Sequence, residues 1–188
     1  MLIVSYVTSN EYKFQVAQEA LKDTDIKIVQ NPLDTPEIQS NDVSEIASFS
    51  ARWAADHLQT PCLVSDVGYF IKSLNGFPGP FIKWTNKWLT SADYLRLLQN
   101  STDRSVEIRE CLAFCRPNGE AVCFINSYIG TLATKAGPKG YSPIDEIFIP
   151  NGFDKVETEI PREIMVKYWS KNSTKWQQFV KYIQSQQL

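Results

Sequence analysis

The sequence predicts an α/β fold built on a mixed sheet. In its first third, short β-branched runs alternate with segments of helical periodicity, the pattern of strands that carry helices between them. Further on, two long strand-like runs flank Pro117-Asn118-Gly119, which reads as an extended hairpin. The C-terminal segment is helical again. At 188 residues the chain accommodates a single domain, or two lobes within it, and can bury a substantial core. No internal repeat, low-complexity tract or long linker interrupts it.

Residues 2–7, LIVSYV, read as a buried strand. NEYKFQVAQEALK follows as a helix with Phe14, Val16, Ala17, Ala20 and Leu21 along its apolar side. Residues 26–29 are a short strand. SNDVSEIASFSARWAADHL is a second helix: Asp42 is placed to N-cap it, Glu45 to complete a capping box, and Ile46, Phe49, Trp53 and Ala54 mark its apolar face. Residues 62–66, CLVSD, are a strand ending in a carboxylate. SADYLRLLQ is a short helix, SVEIRECLAFCR and AVCFINSYIGTLA are the arms of the hairpin, and EIFIP is another strand. The tail from 161 to 187 is helical.

Hydrophobic content of 43% and charged content of 21% are ordinary for a folded soluble chain. A net charge of −2 argues against general nucleic-acid binding, which needs a clustered basic excess. No run approaches the roughly 18 apolar residues of a membrane helix. The start, MLIVSYVTSN, turns polar too early for a signal peptide and lacks a basic leader. A cytoplasmic protein with neither nucleic acid nor membrane as partner is therefore expected. Cys62, Cys111, Cys115 and Cys123 have no CxxC spacing and lie in apolar strand-like stretches, so buried reduced thiols are expected. His57 is the only histidine, which excludes histidine-rich zinc sites. Hydrolytic chemistry here would rest on carboxylates, lysines and a metal bound through oxygen.

In VTSNEYK, Thr8, Ser9 and Asn10 fall where a strand gives way to a helix N-terminus. Free N–H groups and the helix dipole favour phosphate there, and Lys13, one turn in, adds a point charge. Simple helix capping by Ser9 or Asn10 is the competing and commoner reading. Glu37, in a loop after a strand, and Asp66, at the end of one, form a second candidate. Ligands of open α/β sheets collect at the carboxyl ends of strands. Magnesium takes one or two carboxylates plus phosphates and water, while a nearby carboxylate can orient or deprotonate the attacking water. With 21 acidic residues, however, a pairing by chance is easy. LNGFPGPFIKW sets a rigid turn ahead of Lys83. AGPKGY, residues 136–141, lacks the Gly-Lys-Ser/Thr ending of a P-loop and reads as a loop.

The order of TSNEYK, TPE, LVSDVG, LNGFPGPFIKW and PIDEIFIPNGF along the chain resembles the inosine triphosphate pyrophosphatase family, from about residue 3 to residue 161. That resemblance implies an elongated mixed sheet with two lobes around a central cleft, over a single domain of residues 1–188, commonly as a homodimer. It implies Mg²⁺- or Mn²⁺-dependent cleavage of a nucleoside triphosphate between the α- and β-phosphates, releasing the monophosphate and pyrophosphate. By matching position, Thr8, Ser9, Asn10, Lys13 and Lys83 would hold the phosphates. Glu37 and Asp66 would bind the metal, and Asp66, Glu37 and Lys13 would be catalytic, Asp66 as the acid-base group. Asp145 would lie near the base.

The departures from the family are as specific as the matches. Ser65-Asp66-Val67 stands where the family has Glu-Asp-Thr, and Ser50 where a helix lysine faces the phosphates, with Arg52 nearby but pointing elsewhere. The base-stacking aromatics become approximately Ser142 and Ile144. The base-reading Ser-His-Arg is absent, its region reading Trp169-Ser170-Lys171-Asn172. Phosphate and metal positions are thus mostly kept while those that read the purine are lost, which predicts altered base preference more than lost phosphate binding. A catalytically weak or inactive nucleotide-binding paralogue is the alternative.

Overall fold

The computed structural model describes residues 1–186. Its elements are β1 (Leu2–Val7), α1 (Glu11–Leu21), β2 (Ile26–Asn31), α2 (Val43–Leu58), β3 (Cys62–Ile71), β4 (Pro78–Gly79), α3 (Ile82–Trp88), α4 (Ser91–Leu97), β5 (Ser105–Cys115), β6 (Val122–Leu132), β7 (Phe148–Pro150), α5 (Arg162–Asn172) and α6 (Thr174–Ser185). The strands form one mixed sheet in the order β2-β1-β3-β5-β6-β7, with β4 attached to β3. β1 runs parallel to β2 and β3, whereas β3–β4 and β6–β7 are antiparallel. The α/β class read from the sequence is the class observed.

Four local expectations are revised. The strand at residue 62 continues to Ile71, because Val67, Tyr69, Phe70 and Ile71 are all strand formers; Asp66 therefore sits mid-strand. The strand at residue 26 runs on to Asn31. Asp42 does N-cap α2, accepting from Ser44 N at 2.8 Å, but no capping box forms. Glu45 instead accepts from the Ser40 hydroxyl at 2.7 Å, and that hydroxyl in turn accepts from Asp42 N at 3.0 Å. The helical tail is broken at Ser173 into α5 and α6, and position 187 lies outside the described residues. The hairpin turn is as read, with Asn118 at φ 58° and Gly119 N donating to Arg116 O at 3.0 Å.

The chain divides into two compact units, one of residues 1–66, 110–126 and 166 onward, the other of residues 67–109 and 127–165. In the first unit, alternation along the strands sorts side chains by size onto the two faces of the sheet. Tyr6, Leu63, Leu112, Phe114 and Phe124 face α1 and α6, packing with Ala17, Leu21, Trp176, Phe179 and Ile183. The intervening Cys62, Val64, Cys111, Ala113 and Cys115 face α2, which meets them with Ala47, Ala51, Ala54 and Ala55. Small residues on both sides of that contact allow the helix to lie close to the sheet. The cysteines act there as small apolar side chains, all four as free thiols.

In the second unit, Tyr94 is fully buried and donates to Thr85 Oγ1 at 2.8 Å, tying α4 to α3. The Arg104 guanidinium donates to the carbonyls of Leu98, Leu132 and Ala133, joining the end of α4 to the end of β6. Gly130, on β6, leaves no room for a side chain. A Cβ there would lie 2.3 Å from the Phe148 ring and 2.9 Å from the Ile149 carbonyl oxygen. Gly130→Ala is expected to destabilise the protein by about 1–3 kcal/mol, read as a lower urea midpoint at unchanged m-value.

Candidate active site

The first unit gathers its charged groups around the N-terminus of α1. β1 ends at Val7, and Thr8 N donates to Asn31 O at 2.9 Å, extending the pairing with β2 by one step. Asn10 is the N-cap: its Oδ1 accepts from Tyr12 N at 2.9 Å and Lys13 N at 3.0 Å, while its own N–H donates to Thr8 Oγ1 at 3.1 Å. The capping reading thus holds for Asn10, whereas Ser9 is exposed and takes no part in it. The cap sets the first turn that carries Lys13.

Lys13 Nζ donates to the Ser65 carbonyl at 3.4 Å. Desolvation pulls its pKa below the ordinary lysine value, and Lys175 acts in the same direction, while Asp66, Glu110 and Glu37 oppose the shift. Three carboxylates therefore lie close enough to act on one buried ammonium. Strand register explains the position of Asp66. Tyr6 pairs with Leu63 across β1 and β3, so residues 65 and 66 run on past the end of β1, level with the start of the α1 turn. A mid-strand residue of β3 thereby reaches the carboxyl end of its neighbour.

Ser65, where the family resemblance leads one to expect an acid, is engaged by Tyr6, the two hydroxyls lying 2.7 Å apart. The Tyr6 ring stands edge-on to Trp176 at 5.8 Å, and burial raises its phenol pKa. Ser50 is buried and donates to Pro36 O at 3.2 Å, so it anchors the loop that carries Glu37. Arg52 pairs with Glu120 at 3.3 Å. Asn172 donates to Tyr168 O at 2.8 Å within its own helix, and Lys171 contributes to the field at Glu19.

Sequence reasoning missed Glu110 and Lys175. Lys175 is 4% exposed, and its ammonium lies 2.6 Å from Glu110 Oε2. The available signals were a glutamate beside the apolar run CLAFC and a lysine beside Trp176 on the inward side of α6. Around the same helix start, Thr174 N and Oγ1 donate to Asn126 Oδ1 at 3.2 and 2.6 Å. Asn126 Nδ2, Ser173 Oγ and Trp176 Nε1 are buried with no hydrogen-bond partner among the described residues.

Lys83 and Asp145 belong to the second unit. Before Lys83, β4 folds back on β3, pairing Gly79 with Tyr69. Gly79 has φ +59°, a conformation that favours glycine, and α3 starts three residues later with Lys83 in its first turn. The Lys83 ammonium lies 5.8 Å from the centroid of the Trp84 ring. Asp145 closes a turn on Ser142: its Oδ2 accepts from Ser142 N at 3.1 Å, and its N–H donates to Ser142 O at 3.1 Å. Burial raises the Asp145 carboxyl to about 6 against the hydrogen bonds from Ser142. Ile144 is buried in the core of this unit. Of the residues singled out from sequence, the structure therefore assembles Lys13, Glu37 and Asp66 in the first unit, with Thr8 and Asn10 building the helix start. Among the described residues, no three His, Cys, Asp or Glu side chains converge into a metal cage.

Residues 4–180 match the Ham1 family, and the chain belongs to it. This is the family to which the sequence motifs point. The chain is 35% identical over 158 residues to the dITP/XTP pyrophosphatase of Methanopyrus kandleri, covering 84% of each. It is 31% identical over 160 residues to the protein of the same name from Thermococcus kodakarensis, covering 85% of this chain and 86% of that one. The solved structure of a HAM1 protein from Coxiella burnetii shares the fold with a TM-score of 0.79 at 24% identity, covering 98% of this chain and all of the other.

Two outcomes follow from this geometry. Lys175→Met leaves the partly exposed Glu110 without its 2.6 Å counter-charge and is expected to cost about 1–3 kcal/mol, whereas Glu110→Leu with Lys175→Met recovers most of it, measured as a double-mutant cycle in urea. Asp145 has a folded-state pKa of about 6 against an ordinary 3.8, so the fold favours its neutral form. Its contribution to stability is whole below about pH 4 and is lost as pH rises through about 6. Asp145→Asn is therefore expected to gain in melting temperature relative to wild type as pH goes from about 4 to 7. A constant difference between the two melting curves would refute this.

Proposed function

We propose that the chain is a nucleoside triphosphate pyrophosphatase that releases pyrophosphate and leaves the monophosphate. Its substrates would be non-standard purine nucleotides, or nucleotides selected by an altered base preference. The observation that carries this reading is the buried ammonium of Lys13, held at a helix N-terminus within the field of Asp66, Glu110 and Glu37. A triphosphate needs positive charge and free N–H groups, and a water attacking phosphorus needs a carboxylate to take its proton. Relatives named dITP/XTP pyrophosphatase support the reaction class.

Glu37 and Asp66 would hold a divalent ion, Mg²⁺ or Mn²⁺. Two carboxylates suit such an ion, which takes few protein ligands and completes its shell with water and phosphate. When bound, the ion supplies positive charge to the phosphate oxygens. Lys13 would neutralise a phosphate oxygen from the protein side. Asp66 would accept the proton of the attacking water as the new bond to phosphorus forms and the bond to the pyrophosphate oxygen breaks.

The test is a panel of nucleoside triphosphates, including dITP, XTP and the common four bases, assayed for pyrophosphate with Mg²⁺ and with Mn²⁺. Wild type is expected to turn over at least one, and Asp66→Asn to lose about 10²–10⁴ in rate while the fold persists, checked by circular dichroism. Failure to turn over any nucleotide with either ion rejects the reading. A second reading, a nucleotide-binding protein with little catalysis, is favoured by the commitment of Ser65 to Tyr6 where the family resemblance implies an acid. It requires nucleotide-dependent thermal stabilisation without pyrophosphate release.

A further inference from the structure

Ser65 is gripped at two points by residues of other elements. Its hydroxyl lies 2.7 Å from the Tyr6 hydroxyl, and its carbonyl oxygen accepts from Lys13 Nζ at 3.4 Å. Register explains why side chains hold it. β1 pairs Ser5 with Cys62 and Tyr6 with Leu63, and it ends at Val7. Ser65 is therefore the first residue of β3 that has outrun its parallel neighbour. Ladder hydrogen bonds fix a strand's backbone, and on the β1 side β3 has left them behind at this point. Tyr6 reaches two residues ahead of its own pairing position and supplies a restraint there.

Tyr6 is well placed to act as a fixed point. It is 1% exposed, sits in the cluster packed against α1 and α6, and stands edge-on to Trp176. Burial raises its phenol pKa, so the hydroxyl keeps its proton at neutral pH. Alternation along β3 turns the Ser65 side chain to the face that Tyr6 occupies and the Asp66 side chain to the other. The hold of Tyr6 on Asp66 accordingly passes through the Ser65 backbone. The Lys13 ammonium is aimed at the carbonyl of that same residue, so one tether serves both charged groups.

We propose that Tyr6 is a positioning residue for pyrophosphate release: through Ser65 it sets the carbonyl that orients Lys13 and the backbone that carries Asp66. This rests on the roles proposed above for Lys13 and Asp66. A proton acceptor and a phosphate-binding cation work only within a narrow range of position, and a shift of about 1 Å costs about 10²-fold in rate. Tyr6→Phe removes one oxygen and keeps the ring that fills the core. Ser65→Ala breaks the same bond from the other side.

Pyrophosphate release is measured on the full-length protein with Mg²⁺ and the panel nucleotide it turns over fastest. Tyr6→Phe and Ser65→Ala are each expected to lower kcat about tenfold, and the double variant to fall no further than either alone. Ser65→Thr, which keeps a hydroxyl at a strand position, is expected to stay within about threefold of wild type. In an Asp66→Asn background, Tyr6→Phe is expected to cost at most about threefold more, because one of the two groups it positions is already gone. A merely structural loss would lower both backgrounds alike. Wild-type kcat in both Tyr6→Phe and Ser65→Ala overturns the proposal, as does a full tenfold loss repeated in the Asp66→Asn background. Those outcomes leave the pyrophosphatase reading standing. That reading fails instead if wild type releases no pyrophosphate or Asp66→Asn is as fast as wild type, and the proposal then falls with it. Circular dichroism checks each fold, and Ser65→Ala, at a half-buried position, carries the comparison if Tyr6→Phe does not fold.

Discussion

A buried ammonium has to be compensated, and the first unit is arranged around that requirement. Lys13 leaves water at the start of α1, where the helix dipole is itself unfavourable to a cation. The fold answers with the Ser65 carbonyl and with the carboxylates of Asp66, Glu110 and Glu37. Lys175 adds a second buried cation that itself disfavours the Lys13 charge, and its close pairing with Glu110 offsets part of that repulsion. A site charged in this way is costly for an apo protein, and a polyanion with a divalent cation is the kind of ligand that would turn the cost into binding.

Each member of the cluster depends on backbone features elsewhere. Asp66 is useful because β3 outruns β1, a matter of strand length and register. Lys13 is aimed by the Asn10 cap, and Glu37 sits in a loop pinned by Ser50 from the buried side of α2. Ser50, where the family resemblance leads one to expect a lysine, is a structural anchor. Arg52, two residues on, leaves the helix toward Glu120 and does not replace that lysine.

Size sorting on the sheet has a comparable reach. Large residues face α1 and α6, and alanine and cysteine face α2. The same short helix-to-sheet distance brings Ser48 Oγ to 2.9 Å from Cys123 Sγ.

Much of this was legible in the residues. The alternating strands and helices, the Pro-Asn-Gly turn, the Asp42 cap and the ordered motifs from TSNEYK to PIDEIFIPNGF reveal class and family, because propensity and short-range motifs are local properties. The candidate acids Glu37 and Asp66 were legible only as residue types. Their relation to Lys13, the Glu110–Lys175 pair and the commitment of Ser65 to Tyr6 were not. Each joins residues distant in sequence through strand register or helix packing, and no local pattern encodes which buried charge will meet its partner.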